Sequence, residues 1–202
     1  ERGILRYRGI PIEQLADHST FIETALLLIY GELPSRDRLL HFRQLLTEHQ
    51  MIHEGMRHSF SGFAPVGHPM AILSSMVCSL SSYYPQALER QTGPDLDLTI
   101  IRLLAKMPTI AAGAHRHSVG QPFVYPDNSL DFPSNFLSMM WKVAEPRYQP
   151  DPVLSHALDV LFILHADHEQ NCSTTAMRTV GSSHADPYSA TAAAAAALYG
   201  PR

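Results

Sequence analysis

The run Asp151-Pro152-Val153-Leu154-Ser155-His156-Ala157-Leu158-Asp159-Val160-Leu161-Phe162-Ile163-Leu164-His165-Ala166-Asp167-His168-Glu169 decides how this chain is read. Asp151 is a good N-cap residue, Pro152 suits a first helical turn, and Val153 to Leu164 is almost wholly apolar, which predicts a buried helix. At about 100° per residue, Leu154, Leu158, Leu161, His165 and His168 share one stripe, so the apolar face finishes in two imidazoles. Buried imidazole nitrogens need partners, either backbone carbonyls or a bound ligand. Asp167, Glu169, Gln170, Asn171 and Ser173 follow at once. That company favours a polar site, and a pair of core histidines bonded to carbonyls is the other reading.

Working outward, most of the chain is helical with clear punctuation. Gly3 to Ile10 carries the branched and aromatic residues of a short strand or hairpin, the one convincing β signal. Thr20 and Glu23 form a capping box for a helix reaching Tyr30, where Gly31 and Pro34 stop it. Ser35 caps the next helix, which spaces Leu39, Leu40, Phe42, Leu45 and Leu46 helically. His68-Pro69 opens a helix from Met70 to Tyr84, and Pro85 closes it. Further helices are predicted over Asp97 to Ala114, over Ser134 to Val143, and from Asp186-Pro187 through Ala190 to Leu198. Pro126-Asp127-Asn128 and Glu145-Pro146-Arg147 read as loops. Ala192 to Ala197 has little side-chain bulk and Met70 to Tyr84 is rich in Ala and Ser, so both suit close helix packing, as central helices of one domain or at an interface.

Composition narrows the function classes. The 202 residues are 45% hydrophobic and 17% charged, enough for one domain with a substantial core. A net charge of −4 gives no reason to expect a nucleic-acid partner. No apolar run reaches the ~18–20 residues that span a bilayer, and no signal peptide is visible. The two cysteines, Cys78 and Cys172, read as reduced core thiols of a cytoplasmic protein. Cys172 lacks a base at activating spacing and is not read as a nucleophile.

Several blocks together carry a family resemblance. They are Leu164-His165-Ala166-Asp167-His168-Glu169-Gln170-Asn171-Cys172-Ser173-Thr174, Gly181-Ser182-Ser183, the closing Gly200-Pro201-Arg202, the opening Arg2 to Ala16, Gly31-Glu32-Leu33-Pro34, His68-Pro69-Met70, Lys106-Met107-Pro108-Thr109 and Gly120 to Pro126. In their order along the chain they resemble the bacterial-type citrate synthases across essentially the whole chain. The resemblance implies an all-α fold in which residues 1–202 are part of the large helical domain, with a short N-terminal β-hairpin. It also implies an internal piece of a longer polypeptide. The enol-stabilising histidine, the catalytic aspartate, the carboxylate-gripping arginines and the small CoA-binding domain would lie beyond Arg202.

The implied reaction condenses acetyl-CoA with oxaloacetate and hydrolyses citryl-CoA to citrate and CoA, with acetyl-CoA as a substrate and no cofactor. No catalytic residue is assigned within the chain. Of the oxaloacetate site, the resemblance matches His168 to the family's substrate-bonding histidine, with Asn171 beside it. His165, one turn earlier, orients the site or touches substrate. Asp167 and Glu169 are expected to bond backbone or arginine rather than act as bases. The implied partners are the two substrates and a second copy of the chain, with bacterial-type members assembling further into hexamers, in the cytoplasm and away from membranes.

Tyr84, Arg102 and Lys106 match positions tied to NADH inhibition in some bacterial-type members, and His49 and Met51 also fit. Glu48 and Gln50 depart from the basic and hydroxyl residues of NADH-responsive members, so weak or absent inhibition is expected. A plain reading of Arg102 and Lys106 as helix-surface charges stands beside this one. Three other readings remain. 2-Methylcitrate synthases, which use propionyl-CoA, typically carry Glu at the position of Asp167, an aromatic residue near Gln170 and no histidine at 165, a pattern this chain lacks. Paired histidines beside carboxylates also occur in helical metal hydrolases, although no third or fourth ligand appears at motif spacing and no metal is assigned. The chain by itself could also be a non-catalytic helical fragment.

Overall fold

The computed structural model describes residues 3–89, 92–145, 147–167 and 169–200. Strands β1 (Arg6–Tyr7) and β2 (Ile10–Pro11) lead into helices α1 (Ile12–His18), α2 (Phe21–Tyr30), α3 (Arg36–His49), α4 (Glu54–Ser59), α5 (Pro69–Tyr83), α6 (Pro94–Ser118), α7 (Phe132–Trp141), α8 (Pro152–Leu164), α9 (Cys172–Gly181) and α10 (Pro187–Ala197). The strands form one antiparallel hairpin in which Arg6 faces Pro11 and Tyr7 faces Ile10. Its two turn residues, Arg8 and Gly9, both have positive φ, at 49° and 89°. That geometry matches the right-handed twist of the flanking strands. The expectation of an all-α fold with a short hairpin holds.

Four of the predicted helix starts are made by the predicted side chains. Thr20 accepts from the Glu23 N–H while Glu23 accepts from the Thr20 N–H at 2.8 Å, a complete capping box. Ser35 accepts from the Arg38 N–H, Asp151 from Val153 and Asp186 from Tyr188 and Ser189. Gly31 ends α2 at φ 91°, a left-handed cap in which its N–H reaches the Leu27 carbonyl at 2.8 Å. The bounds of two helices differ from the sequence reading. Helix α6 runs through Pro108 and beyond Ala114 to Ser118, because its flanks stay buried on both sides of the proline. Helix α7 starts at Phe132, earlier than Ser134, because Asp131 supplies the cap. The short helices α1 and α4 lacked a strong start signal, and no side-chain cap is seen at α1.

The main core lies where α5, α6 and α10 meet, with Met76, Val77, Leu80, Ile110, Ala114, Tyr188 and Ala192 buried together. The alanine-rich α10 packs closely on α5 and α9, as its lack of bulk requires. A second cluster joins α2, α3 and α6 through Ile22, Leu26, Phe42, Leu46, Ile101 and Ala105. A third joins the hairpin, α1, α2 and α8 through Tyr7, Ile12, Leu15, Leu27 and Ile163.

Helix α8 corrects the reading of its own sequence. It is not buried all round: Val153 is 74% exposed, Leu154 58% and Leu161 50%. The face turned inward is Ser155, Asp159, Phe162 and Ile163, at helical spacing. The two polar residues on it are satisfied. Ser155 shares a 2.7 Å hydrogen bond with Ser134, and the Asp159 carboxylate accepts the Phe21 N–H at 3.2 and 3.3 Å. Helix α8 therefore packs α1, α2 and α7 with its mixed face and presents its most apolar stripe outward. Cys78 and Cys172 are likewise exposed rather than core thiols, since Met76, Val77 and Leu80 are the residues that α5 turns inward.

Asp186 tests the importance of these caps, because it is 4% exposed and also accepts from the Ser189 hydroxyl at 2.5 Å. Burial pushes its carboxyl up, but the hydrogen bonds from Ser189, Ser81 and the Tyr188 N–H outweigh this and hold it below its usual 3.8. Asp186→Ala should lose about 1–3 kcal/mol in urea unfolding. Because the folded pKa is depressed, the stability Asp186 adds is fully present above pH 3.8 and is lost as pH falls through the lower folded value. The gap between wild type and variant should close at acid pH.

Candidate functional site

The segment after α8 is built from backbone ends. Helix α8 leaves its last carbonyls without intrahelical partners. The Leu161 carbonyl takes the His165 N–H at 3.1 Å and the His165 Nδ1–H at 2.8 Å, and the Ile163 carbonyl takes the Ala166 N–H at 3.2 Å. A carbonyl only accepts, so His165 carries a proton on Nδ1 in this contact. His165 is exposed and turns back on its own helix.

The chain then makes a tight polar turn. The Asp167 carboxylate accepts the Glu169 N–H at 3.0 Å, Glu169 has φ 59°, and its carbonyl accepts the Thr174 hydroxyl at 3.1 Å. This agrees with the expectation that Asp167 bonds backbone. Gln170 accepts from Arg178 at 3.2 Å. Asn171 is the N-cap of α9: its Oδ1 accepts the Thr174 N–H at 3.0 Å and the Ser173 hydroxyl at 2.6 Å. An Asn three residues ahead of a helical N–H is a cap signal, and it would have located α9 from sequence. With Oδ1 occupied, the Nδ2 group is the part of Asn171 available to a ligand. His168, the principal candidate, lies outside the described residues, so its place in this arrangement is not among them.

The second set of candidates converges elsewhere. The Arg102 guanidinium lies 4.4 Å and the Lys106 ammonium 5.8 Å from the centre of the Tyr84 ring. The reading of Lys106 as a surface charge is overturned, because it is only 3% exposed. Its ammonium donates to the His49 carbonyl at 2.6 Å and to the Met51 carbonyl, closing the end of α3. Burial, helped by the Arg102 charge, lowers its pKa from 10.5 to about 8. His49 is also pushed down, by burial first and then by Arg102 and Lys106. The adjoining Gln50 has both ends of its amide engaged, by Asn135 at 2.9 Å and Asn128 at 2.7 Å. The sequence placed these residues near one another but could not show that their polar atoms hold the backbone.

A separate cleft of about 640 Å³ opens between α2, α3, α7 and α8, lined by Arg43, Gln50, Asp131, Asn135, His156 and Asp159 among others. None of its lining residues comes from the His165 to Asn171 segment. No group of three or more His, Cys, Asp or Glu among the described residues is arranged to hold a metal. No described helix is long and apolar enough to cross a membrane.

Comparison with known proteins bears on the family and the fold. The family model described as "Citrate synthase, C-terminal domain" matches residues 1–202. Citrate synthase 1 of Mycobacterium tuberculosis is 53% identical over 201 residues, which cover 100% of this chain and 47% of that protein. The chain therefore spans about half the length of the curated relatives it matches. The crystal structure of citrate synthase from Pyrobaculum aerophilum superposes with a TM-score of 0.90 at 36% identity, covering 99% of this chain and 50% of that one. That from Thermotoga maritima gives 0.80 at 30% identity, covering 98% and 50%.

The buried Lys106 makes a pH prediction. Its folded pKa, about 8, is lower than the 10.5 of the open chain, so between these values the unfolded state holds the proton more firmly. Stability contributed at this position should rise as pH climbs through that window. Relative to Lys106→Met, which cannot titrate, the wild-type urea midpoint should gain between pH 8 and 10.5.

Proposed function

The chain belongs to the citrate synthase family, and from that premise we propose that the protein carrying it condenses acetyl-CoA with oxaloacetate and hydrolyses citryl-CoA to citrate and CoA. The observation that carries this reading is the 53% identity spread over the full chain, joined to a superposition that covers nearly all of it. Within the chain, the residues from His165 to Asn171 provide the oxaloacetate floor. His168 donates to the substrate, Asn171 presents Nδ2 from the start of α9, and His165 orients the turn through its bond to Leu161. Oxaloacetate carries two carboxylates, and the N-terminal end of the α9 dipole has the sign that favours them.

The chemistry needs a base at a weakly acidic methyl group and a donor at the oxygen that becomes the enolate. Neither role is assigned to a residue of this chain. Its residues bind and orient the ketone that the enol attacks, which lowers the barrier by positioning. We assign residues 1–202 to the large helical domain. The outward apolar side chains, Leu154 and Leu161 of α8 with Leu198 and Tyr199 beyond α10, fit an assembling cytoplasmic enzyme whose unit is a homodimer. The Tyr84, Arg102 and Lys106 cluster keeps the cationic and aromatic character of a nucleotide site. Its ammonium and the neighbouring Gln50 amide are committed to the protein itself, and Glu48 adds a carboxylate beside His49. These features support weak NADH inhibition.

Oxaloacetate and acetyl-CoA should yield citrate with release of a free thiol, faster than propionyl-CoA does. His168→Ala should lower kcat/KM for oxaloacetate roughly 10- to 100-fold, the loss of one hydrogen bond to a charged group. Asn171→Ser keeps a capping oxygen, so it should leave the melting temperature nearly unchanged while raising the oxaloacetate KM. Turnover that prefers propionyl-CoA would move the assignment to 2-methylcitrate synthesis, and no turnover with either thioester would overturn it. Separately, micromolar NADH should leave the rate of citrate formation almost unchanged; strong inhibition would refute the reading of Glu48 and Gln50.

A further inference from the structure

Tyr7 belongs to the hairpin, yet its hydroxyl is spent on a segment far along the chain. The side chain is 1% exposed and its ring packs with Ile12, Leu15, Leu27 and Ile163. The hydroxyl lies 3.0 Å from the Ile163 carbonyl, 3.4 Å from those of Leu164 and Asp167, and 3.3 Å from the Asp167 N–H. A phenol has one proton and two lone pairs, so it donates to this carbonyl cluster, nearest to Ile163, and accepts from Asp167. Burial raises the Tyr7 pKa above 10, so the proton stays on the oxygen at neutral pH. Among the described residues, the Tyr7 hydroxyl is the partner of the Asp167 N–H.

We propose that Tyr7 is a positioning residue for the oxaloacetate segment, holding the end of α8 and the backbone of Asp167 in the register that leads on to Asn171 and α9. The inference rests on the reading of that segment as the oxaloacetate floor. A phenylalanine would fill the same apolar cluster, so packing alone does not account for the hydroxyl. Four of the residues that follow the helix, His165, Asp167, Glu169 and Gln170, are exposed. Tyr7 ties this exposed turn to a buried anchor. The anchor is itself braced. Arg8, next to Tyr7, donates to the Leu28 carbonyl at 2.7 Å, which fastens the hairpin to α2.

The test compares Tyr7→Phe with wild type in the whole protein that carries this chain, using Ile12→Val in the same cluster as a control for packing loss. Tyr7→Phe should raise the oxaloacetate KM roughly five- to tenfold, the worth of about one hydrogen bond, and leave the acetyl-CoA KM unchanged. Amide hydrogen exchange should speed up for Ala166 and Asp167 while the α5 and α10 amides stay protected. Ile12→Val should soften the cluster with no change in oxaloacetate KM. Unaltered exchange at Asp167 together with an unaltered oxaloacetate KM would overturn the proposal, as would equal shifts in both substrate constants. If the wild-type protein makes no citrate, the oxaloacetate reading fails. Exchange at Asp167 then decides the positioning claim by itself.

Discussion

A fold made almost entirely of helices must deal with the polar groups at every helix end, and here buried side chains from distant segments do much of that work. Four N–H groups and four carbonyls per helix lack partners within it, and leaving them dry would cost more than the net gain of an ordinary hydrogen bond. Lys106 of α6 closes the end of α3 at His49. Arg116, only 2% exposed, closes the end of α7 through the Met140 carbonyl at 3.0 Å and also donates to Pro122. Tyr7 closes α8, and Asp159 of α8 takes the first N–H of α2. Apart from Arg116 to Pro122, each contact joins two different elements, so the same bond that satisfies a helix end also sets where one element lies against another.

This constraint explains the orientation of α8. Turning its most apolar stripe inward would bury more hydrocarbon, but Ser155 and Asp159 would then face outward and the start of α2 would lose its acceptor. Asp159 stays half-buried with its carboxyl pushed up, by burial first and by nearby Asp131, while the Phe21 N–H opposes that rise. The apolar residues left outside form a stripe larger than isolated exposed leucines would make. The orientation also brings the end of α8 under Tyr7, and from there the turn through Asp167 and Glu169 leads into Asn171 and α9.

The two candidate clusters use polar groups differently. Between His165 and Asn171, the described hydrogen bonds are made largely to backbone: His165 Nδ1 to the Leu161 carbonyl, the Asp167 carboxylate to the Glu169 N–H and the Asn171 Oδ1 to the Thr174 N–H. Around Tyr84, Arg102 and Lys106 the ammonium is turned into the protein and serves its architecture. A cation used that way is costly to redirect toward a ligand, since its carbonyl partners would be left unpaired.

The sequence by itself determined the parts of the protein that depend on neighbours a few residues apart. The capping box at Thr20 and Glu23, the stop at Gly31, the caps at Ser35, Asp151 and Asp186, and the hairpin at Arg6 to Pro11 were all legible, because capping and turn formation are local. The motif around His165 and the family were legible because the identifying residues are contiguous. Helix α9 was legible in principle through Asn171, whose local cap signal was read as a ligand contact. Only the tertiary structure decided which face of α8 is buried, that Lys106 points inward, that Cys78 and Cys172 lie outside, and that Tyr7 reaches Asp167. Each of these depends on partners from about 50 to 160 residues away or on which flank a neighbouring helix covers. Periodicity shows that a helix has faces; the polar atoms waiting on the other elements choose among them.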